Sequence, residues 1–72
     1  MTSVIKFLEI NGFTNQDKLY TNDLCSVTLE DKYYVVTSGN EMMYSNDLSI
    51  YWLIGVLTYY GYMKKDYEKI TN

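Results

Sequence analysis

The chain has 72 residues, of which 47% are hydrophobic and 17% aromatic, and its formal net charge is −3. Disordered chains have few aromatic residues and high net charge, so this composition predicts one small folded domain over residues 1–72. It argues against direct nucleic-acid binding, which needs clustered Lys or Arg, because the chain has no Arg and its lysines are scattered or near the C-terminus.

The cysteine count and the apolar segments predict a compartment. The single cysteine, Cys25, cannot form an internal disulfide, so the sequence carries no sign of an oxidising environment. Its first residues lack the basic start and long apolar run of a signal peptide. The apolar segment around residues 47–61 is shorter than the ~20 apolar residues of a membrane span. We therefore expect a cytoplasmic protein with no membrane contact, in the host cytoplasm if a phage encodes it.

The first predicted helix begins with Thr2 or Ser3 as its N-cap and runs to about Ile10. Gly12 suits the position just after the helix, where the chain turns into the left-handed conformation. Phe13 then lies where a Schellman motif places an apolar contact with the last turn of the helix. The side chains expected to be buried are Val4, Phe7 and Leu8, with Ile5 at the edge.

A central region of short strands follows. Residues 14–18 are polar and predict a loop, and a short strand is expected at residues 19–20. Strands are then predicted at residues 24–30, 33–37 and 41–44, with a hairpin turn at Ser38-Gly39-Asn40 between the last two. The side chains expected to face the core are Cys25, Val27 and Leu29, with some of Tyr34, Val36, Met42 and Tyr44, because the parity of the last two strands stays open.

The second helix is the longest apolar segment of the chain. Its predicted start lies at Ser45, Asn46 or Asp47, three consecutive N-cap candidates, and Gly61 is the residue that ends it. The residues beyond, 64–72, are charged and are expected to fray unless Tyr67 and Ile70 hold them. The predicted buried stripe comprises Ile50, Leu53, Ile54, Leu57 and Tyr60.

These elements predict an α+β fold in two layers. The order is helix, three- or four-stranded antiparallel sheet, helix (αβββα). A sheet of this size is unstable alone, so one of its faces must be covered. We therefore expect both helices to pack on one face of the sheet.

Catalytic and ligand-binding chemistry is not indicated. Without His, and with one Cys, the chain has no histidine triad and no set of zinc ligands, so no catalytic residue, metal, cofactor or small molecule is predicted. The carboxylates Asp23, Asp31 and Asp47 lie in polar segments, where turn or capping roles explain them. Cys25 falls on the inward side of its strand, where an unpaired cysteine behaves as a small hydrophobic residue. The sequence predicts that the protein is not an enzyme.

The second helix is apolar on both sides. Opposite the predicted stripe lie Leu48, Tyr51, Trp52 and Tyr59, arranged around Gly55, where a solvated helix would carry Lys, Glu or Gln. A glycine inside a helix costs ~1 kcal/mol relative to alanine, and the close approach of another element is the usual compensation. Two interpretations follow. Trp52 and Tyr59 pack under the first helix or the C-terminal tail, or the face is an interface with a second copy or with a foreign protein.

The composition carries a resemblance at the level of a class. The chain lacks Arg, His, Pro and Ala and is rich in Tyr, Asn and Lys, which is typical of AT-rich genomes such as those of low-GC bacteria and their phages. In size, acidity and composition it resembles the small accessory proteins of phages and mobile elements, including anti-CRISPR and other anti-defence inhibitors. The resemblance implies a protein that binds a host effector. The segment Ile50-Tyr-Trp-Leu-Ile-Gly55 is diagnostic of no family, so no functional residue is transferred.

Three functional hypotheses remain from the sequence. The preferred one is a non-catalytic protein-binding module, an anti-CRISPR-like inhibitor that binds a host defence effector through the aromatic helix face and an acidic surface. The alternative is a structural or assembly protein that forms an obligate homodimer through the same helix. A third and weaker hypothesis is a small regulatory enzyme that uses Cys25.

Overall fold

The computed structural model describes residues 2–63, which form two helices and a five-stranded antiparallel sheet. The strands follow one another as a meander, β1-β2-β3-β4-β5, so each strand pairs with its neighbour in sequence. The elements are α1 (Thr2–Ile10), β1 (Thr14–Gln16), β2 (Leu19–Thr21), β3 (Ser26–Leu29), β4 (Tyr34–Ser38), β5 (Glu41–Tyr44) and α2 (Ile50–Tyr59).

The α+β class is confirmed, but the expected three or four strands are five. The additional strand is β1, in a segment where the polar residues predicted a loop. All three of its side chains are exposed, so it has no hydrophobic alternation by which a sequence pattern could reveal it. It forms by pairing with β2 across a tight turn in which Asp17 takes a positive φ of 63°. The hydroxyls of Thr14 and Thr21 lie 3.4 Å apart across this pair.

The core lies between one face of the sheet and the two helices. Cross-strand pairing aligns Tyr20 with Val27, Val27 with Val36, and Val36 with Met43, so these four side chains share a face. Both helices add fully or nearly fully buried side chains to the same cluster, as the sequence predicted. The buried cluster consists of Val4, Leu8, Phe13, Tyr20, Cys25, Val27, Tyr34, Val36, Leu53, Leu57 and Met63.

The pairing of β4 with β5 settles the side-chain parity of the last strand. Met43 lies opposite Val36 and packs against the core. Met42 and Tyr44, which were candidates for the core, are exposed because they alternate with Met43 and face the other side of the sheet. The sequence left this parity open, and the register set by the tight turn between the strands decides it.

Both helices end in the same motif, as predicted. In α1 the N–H of Phe13 donates to the carbonyl of Leu8 at 3.0 Å, and Gly12 has a φ of 88°. In α2 the N–H of Tyr62 donates to the carbonyl of Leu57 at 2.9 Å, and Gly61 has a φ of 71°. These are Schellman motifs, in which a left-handed residue lets the chain turn back and satisfy the last carbonyls of the helix.

We expect Gly61→Ala to lower the free energy of unfolding by about 1 kcal/mol, because a side chain in the left-handed region collides with its own backbone. Gly55→Ala is the matched control, since it lies inside the same helix and an added Cβ would meet no atom within 4 Å outside the backbone of that helix. That change should raise the free energy of unfolding by ~1 kcal/mol. Urea denaturation at low protein concentration measures both. Equal signs for the two variants would contradict this account of the helix end.

The start of α2 differs from the prediction. Ser45, Asn46 and Asp47 were the N-cap candidates, but the N-cap is Ser49, whose side chain accepts a hydrogen bond from the N–H of Tyr51. Ser45 is buried and forms a hydrogen bond with β4 instead. Its hydroxyl accepts from the N–H of Tyr34 at 2.7 Å and donates to the carbonyl of Asp47 at 2.6 Å. The chain therefore makes a short connection before the helix begins.

The buried stripe of α2 is narrower than predicted. Leu53 and Leu57 are fully buried, and Ile50 packs against the core. Tyr60 was expected to be buried but is the C-cap residue and is exposed, because the helix ends there. Neither described helix has the length and apolar character needed to cross a membrane. The expected fraying of the tail, at residues 64–72, lies outside the described residues.

Candidate protein interface

The segment before α2 is held in place by two hydrogen bonds. The carboxylate of Asp47 accepts from the N–H of Ser49 at 3.0 Å, and the hydroxyl of Tyr34 donates to the carbonyl of Leu48 at 2.7 Å. Burial, and secondarily the charge of Asp47, raise the pKa of Tyr34, so the phenol keeps its proton and this hydrogen bond. Leu48, predicted to lie on the helix, thus precedes the N-cap and leads into the helix face.

The exposed face of α2 is formed by Tyr51, Gly55 and Tyr59, which we call the α2 face. Tyr51 is 80% exposed and Tyr59 is 81% exposed. The three residues follow one another at intervals of four, so they form one row along the helix surface. Leu48 is 37% exposed at the N-terminal end of this row. The sequence predicted that these residues lie away from the core, and the structure places them there.

Trp52, the fifth residue of the predicted interface, is placed differently. It is half-buried and packs against the core cluster, so it flanks the α2 face and does not stand free on it. Its ring is thus divided between the core and the surface. Of the five predicted residues, the structure brings Tyr51, Gly55 and Tyr59 together on the exposed row, with Leu48 beside its start.

The space around Gly55 is open. A Cβ built on this residue would meet no atom within 4 Å outside the helix backbone, and the residue is exposed. Packing inside the described part of the chain therefore does not require a glycine here. The missing side chain leaves a notch in the helix surface between Tyr51 and Tyr59, where the backbone itself can be approached closely.

The helix that bears the α2 face carries no charged side chain. From Leu48 to Met63 the sequence has no Asp, Glu or Lys. The acidic residues lie in other parts of the chain, with Asp47 just before this segment. A helix surface without charges can be covered by another protein without desolvating an ion, which would be costly.

Aromatic rings extend the face at its C-terminal end. The rings of Tyr59 and Tyr60 meet edge to face with centroids 4.9 Å apart, and Tyr60 stacks on Tyr62 at 5.5 Å. Sequence reasoning missed Tyr60 as a surface residue because it assumed that the helical stripe continues through the last turn. The signal that could have found it is Gly61, which ends the helix one residue later.

A second exposed aromatic group lies on the outer face of the sheet. The rings of Tyr33 and Tyr44 are 6.0 Å apart, and the hydroxyl of Tyr44 donates to the sulfur of Met42. This group was also missed, because its exposure depends on the register of β5 and is not apparent from composition.

The Cys25 thiol lies in a protected position. The side chain is 6% exposed, and the thiol donates a weak hydrogen bond to the carbonyl of Tyr62, with sulfur and oxygen 3.9 Å apart. Burial raises the pKa of Cys25 from 9.0 to about 11. The thiolate is the nucleophile in cysteine chemistry, so this environment opposes the regulatory-enzyme hypothesis.

Surface depressions occur among residues 2–63. One of about 220 Å³ is lined by Asn11, Gly12, Thr14, Thr21, Asn22 and Asp23. The Asn22 side chain there is used internally, because its oxygen accepts from two backbone N–H groups and its nitrogen donates to the carbonyl of Tyr62. Within residues 2–63 no group of His, Cys, Asp and Glu side chains is arranged to hold a metal ion.

Comparison of this chain with protein families, with curated proteins and with solved structures found no match.

Proposed function

We propose that this protein is a non-catalytic protein-binding module that contacts its partner through the α2 face. The observation that carries the proposal is the exposure of Tyr51 and Tyr59 on an uncharged helix surface, on either side of Gly55. Tyrosine is enriched at interfaces because it buries a large apolar ring and keeps a polar hydroxyl. Charged residues are depleted at interface cores, and this face has none.

The glycine adds an energetic argument. Gly55 costs the helix ~1 kcal/mol relative to alanine, and no neighbouring atom in the described fold stands in the way of a side chain. A partner that approaches the helix backbone between the two tyrosine rings would require the glycine. Gly55 destabilises the isolated helix, and the close approach of a partner in the complex therefore explains why a glycine is present.

In the specific form predicted from the composition, the partner is a host defence effector, and the protein inhibits it as anti-CRISPR proteins do. The size of the chain and its net charge of −3 support this form. The buried and protonated Cys25 supports a mode of action by binding and not by catalysis.

We expect the double substitution Tyr51→Ala/Tyr59→Ala to weaken partner binding by roughly 100-fold, because truncating central interface tyrosines commonly costs 1–2 kcal/mol each. The fold should persist, since both side chains are mostly exposed. Immobilised protein captures partners from host lysate, mass spectrometry identifies them, and calorimetric titration with the purified partner measures the affinity.

The matched control is Tyr33→Ala/Tyr44→Ala, which removes the other exposed pair of rings on the outer face of the sheet. It should leave the affinity within about twofold of the unmodified chain. If the control variant loses the partner and the α2 variant keeps it, the interface lies on the sheet and the proposed face is wrong. Circular dichroism spectra of both variants show that neither loss results from unfolding.

The alternative function, a self-assembling structural protein, uses the same face. The observation that favours it is the placement of Tyr51 and Tyr59 at equal distances along the chain from Gly55. A surface that is symmetric about its centre can contact a second copy of itself.

A further inference from the structure

We infer that a second copy of this chain occupies the α2 face, in an antiparallel pair related by a twofold axis that passes beside Gly55. The inference rests on the proposed binding function of this face and takes a second copy of the chain, in place of a host effector, as the partner. A twofold interface must be self-complementary, so that each residue meets the residue related to it by the symmetry. Tyr51 lies four residues before Gly55 and Tyr59 four residues after it.

The antiparallel arrangement pairs these residues directly. When two copies of α2 run in opposite directions and cross at Gly55, Tyr51 of each copy lies at the level of Tyr59 in the other. Two equivalent tyrosine pairs then flank the crossing point. Tilted ring pairs of this kind are favoured at centroid separations of 4.5–7 Å.

The notch at Gly55 lets the two helices cross. Residues spaced by four form a ridge on a helix, and packing such ridges into the grooves of a second helix sets a crossing angle of about −50°. The two central ridges would collide at the crossing point if both carried side chains there. Gly55 carries none, and the space in front of it is open. The backbones can therefore approach to the short end of the ~8–10 Å range of helix separations.

The charge distribution permits a second copy as the occupant. Two copies that each carry a net charge of −3 repel one another wherever their acidic surfaces meet. The segment from Leu48 to Met63 is the long uncharged stretch of the chain, so pairing through it brings no charged side chain of that segment into the contact.

The area available suits a weak, concentration-dependent dimer. An aromatic side chain buries 150–250 Å², so the four mostly exposed tyrosines of a pair supply roughly 500–800 Å². Leu48, which is partly exposed just before the helix, enlarges the contact. The sum approaches the ~1,000 Å² that a specific interface requires, at the weak end of stable association.

Sedimentation equilibrium of the full 72-residue chain tests the inference. The mass should rise from monomer to dimer between about 1 µM and 1 mM, the range expected for a small interface. Gly55→Leu should weaken dimerisation at least tenfold by filling the crossing point, while raising the Tm of the monomer because leucine is a better helix former. Tyr33→Ala/Tyr44→Ala should leave dimerisation unchanged. A dimer that tolerates Gly55→Leu overturns the inference.

Cysteine cross-linking tests the antiparallel direction. In a Cys25→Ala background, Tyr51→Cys and Tyr59→Cys chains of different mass are mixed and oxidised. The antiparallel pair predicts a mixed disulfide in excess over the two homotypic disulfides. An excess of homotypic products would overturn the stated geometry by showing parallel helices.

The same measurements separate this inference from the proposed function. A chain that stays monomeric at 1 mM (about 1,000 times the lowest concentration tested) overturns the second-copy inference. If Tyr51→Ala/Tyr59→Ala then abolishes binding to a captured foreign protein, the binding function of the face stands. If the chain is monomeric and those substitutions change no binding, both proposals fail.

Discussion

Leu53→Ala is expected to destabilise the protein by about 3 kcal/mol, the largest single effect we predict for stability. Leu53 has no exposed surface and belongs to the cluster in which both helices meet the sheet. Truncation removes its transfer free energy and leaves a cavity that the surrounding side chains fill incompletely. A domain of this size has roughly 4–10 kcal/mol of stability in total, so the loss is a large part of it.

The matched control lies on the same helix. Tyr59→Ala removes a larger side chain that is 81% exposed, and its effect on stability should stay within about 0.5 kcal/mol. Urea denaturation curves followed by circular dichroism give both free energies. Equal losses from the two substitutions would mean that α2 is rotated about its axis relative to this structure. The assignment of the α2 face as free surface would then fail as well.

The ends of both helices could be predicted from sequence because their signals are local. Gly12 and Gly61 each follow an apolar periodic segment, and each adopts the left-handed conformation that closes a Schellman motif. The start of α2 could not be predicted in the same way. Ser45 and Ser49 are both good N-cap residues, and the choice between them depends on the buried hydrogen bond from Tyr34 to Ser45, which is a tertiary contact.

Two features of the sheet could not be predicted from the sequence, for different reasons. The strand Thr14–Gln16 has three exposed polar side chains, so pairing with its neighbour, and not burial, defines it. The exposure of Met42 and Tyr44 follows from the register of the last hairpin, where a shift of one residue would reverse every side chain. Alternation within a four-residue strand is too short a pattern to fix that register.

The candidate interface was partly predictable. The 100° rotation per residue correctly placed Tyr51 and Tyr59 away from the core, because this angle is a property of every α-helix. The rotation angle does not show how far the core extends around the helix. Trp52 is the example, because it was predicted on the exposed side and packs against the core. A large ring at the boundary reaches back to the core, although its Cα direction alone places it with the exposed residues.

The alternation of residues around Val27 predicted that Cys25 faces the core, and both residues are buried. We expect iodoacetamide to alkylate Cys25 in the folded protein at least about 100-fold more slowly than in urea at pH 8. A pKa of about 11 in place of 9.0 lowers the thiolate fraction by about that factor. The low exposure of the side chain slows the reaction further. Mass spectrometry of samples quenched over time measures both rates.

The same pKa shift predicts how stability depends on pH. The folded state holds the thiol proton more tightly than the unfolded state, so the stabilisation is complete below pH 9.0 and is lost as the pH rises toward about 11. Two pKa units correspond to about 2–3 kcal/mol. Tyrosines also ionise in this range, so the measurement is the difference in unfolding free energy between the unmodified chain and Cys25→Ala at each pH. Rapid alkylation in the folded state, or a difference that does not change with pH, would mean that the fold does not suppress ionisation of the Cys25 thiol. The regulatory-enzyme hypothesis would then regain the support that burial of the thiol removes.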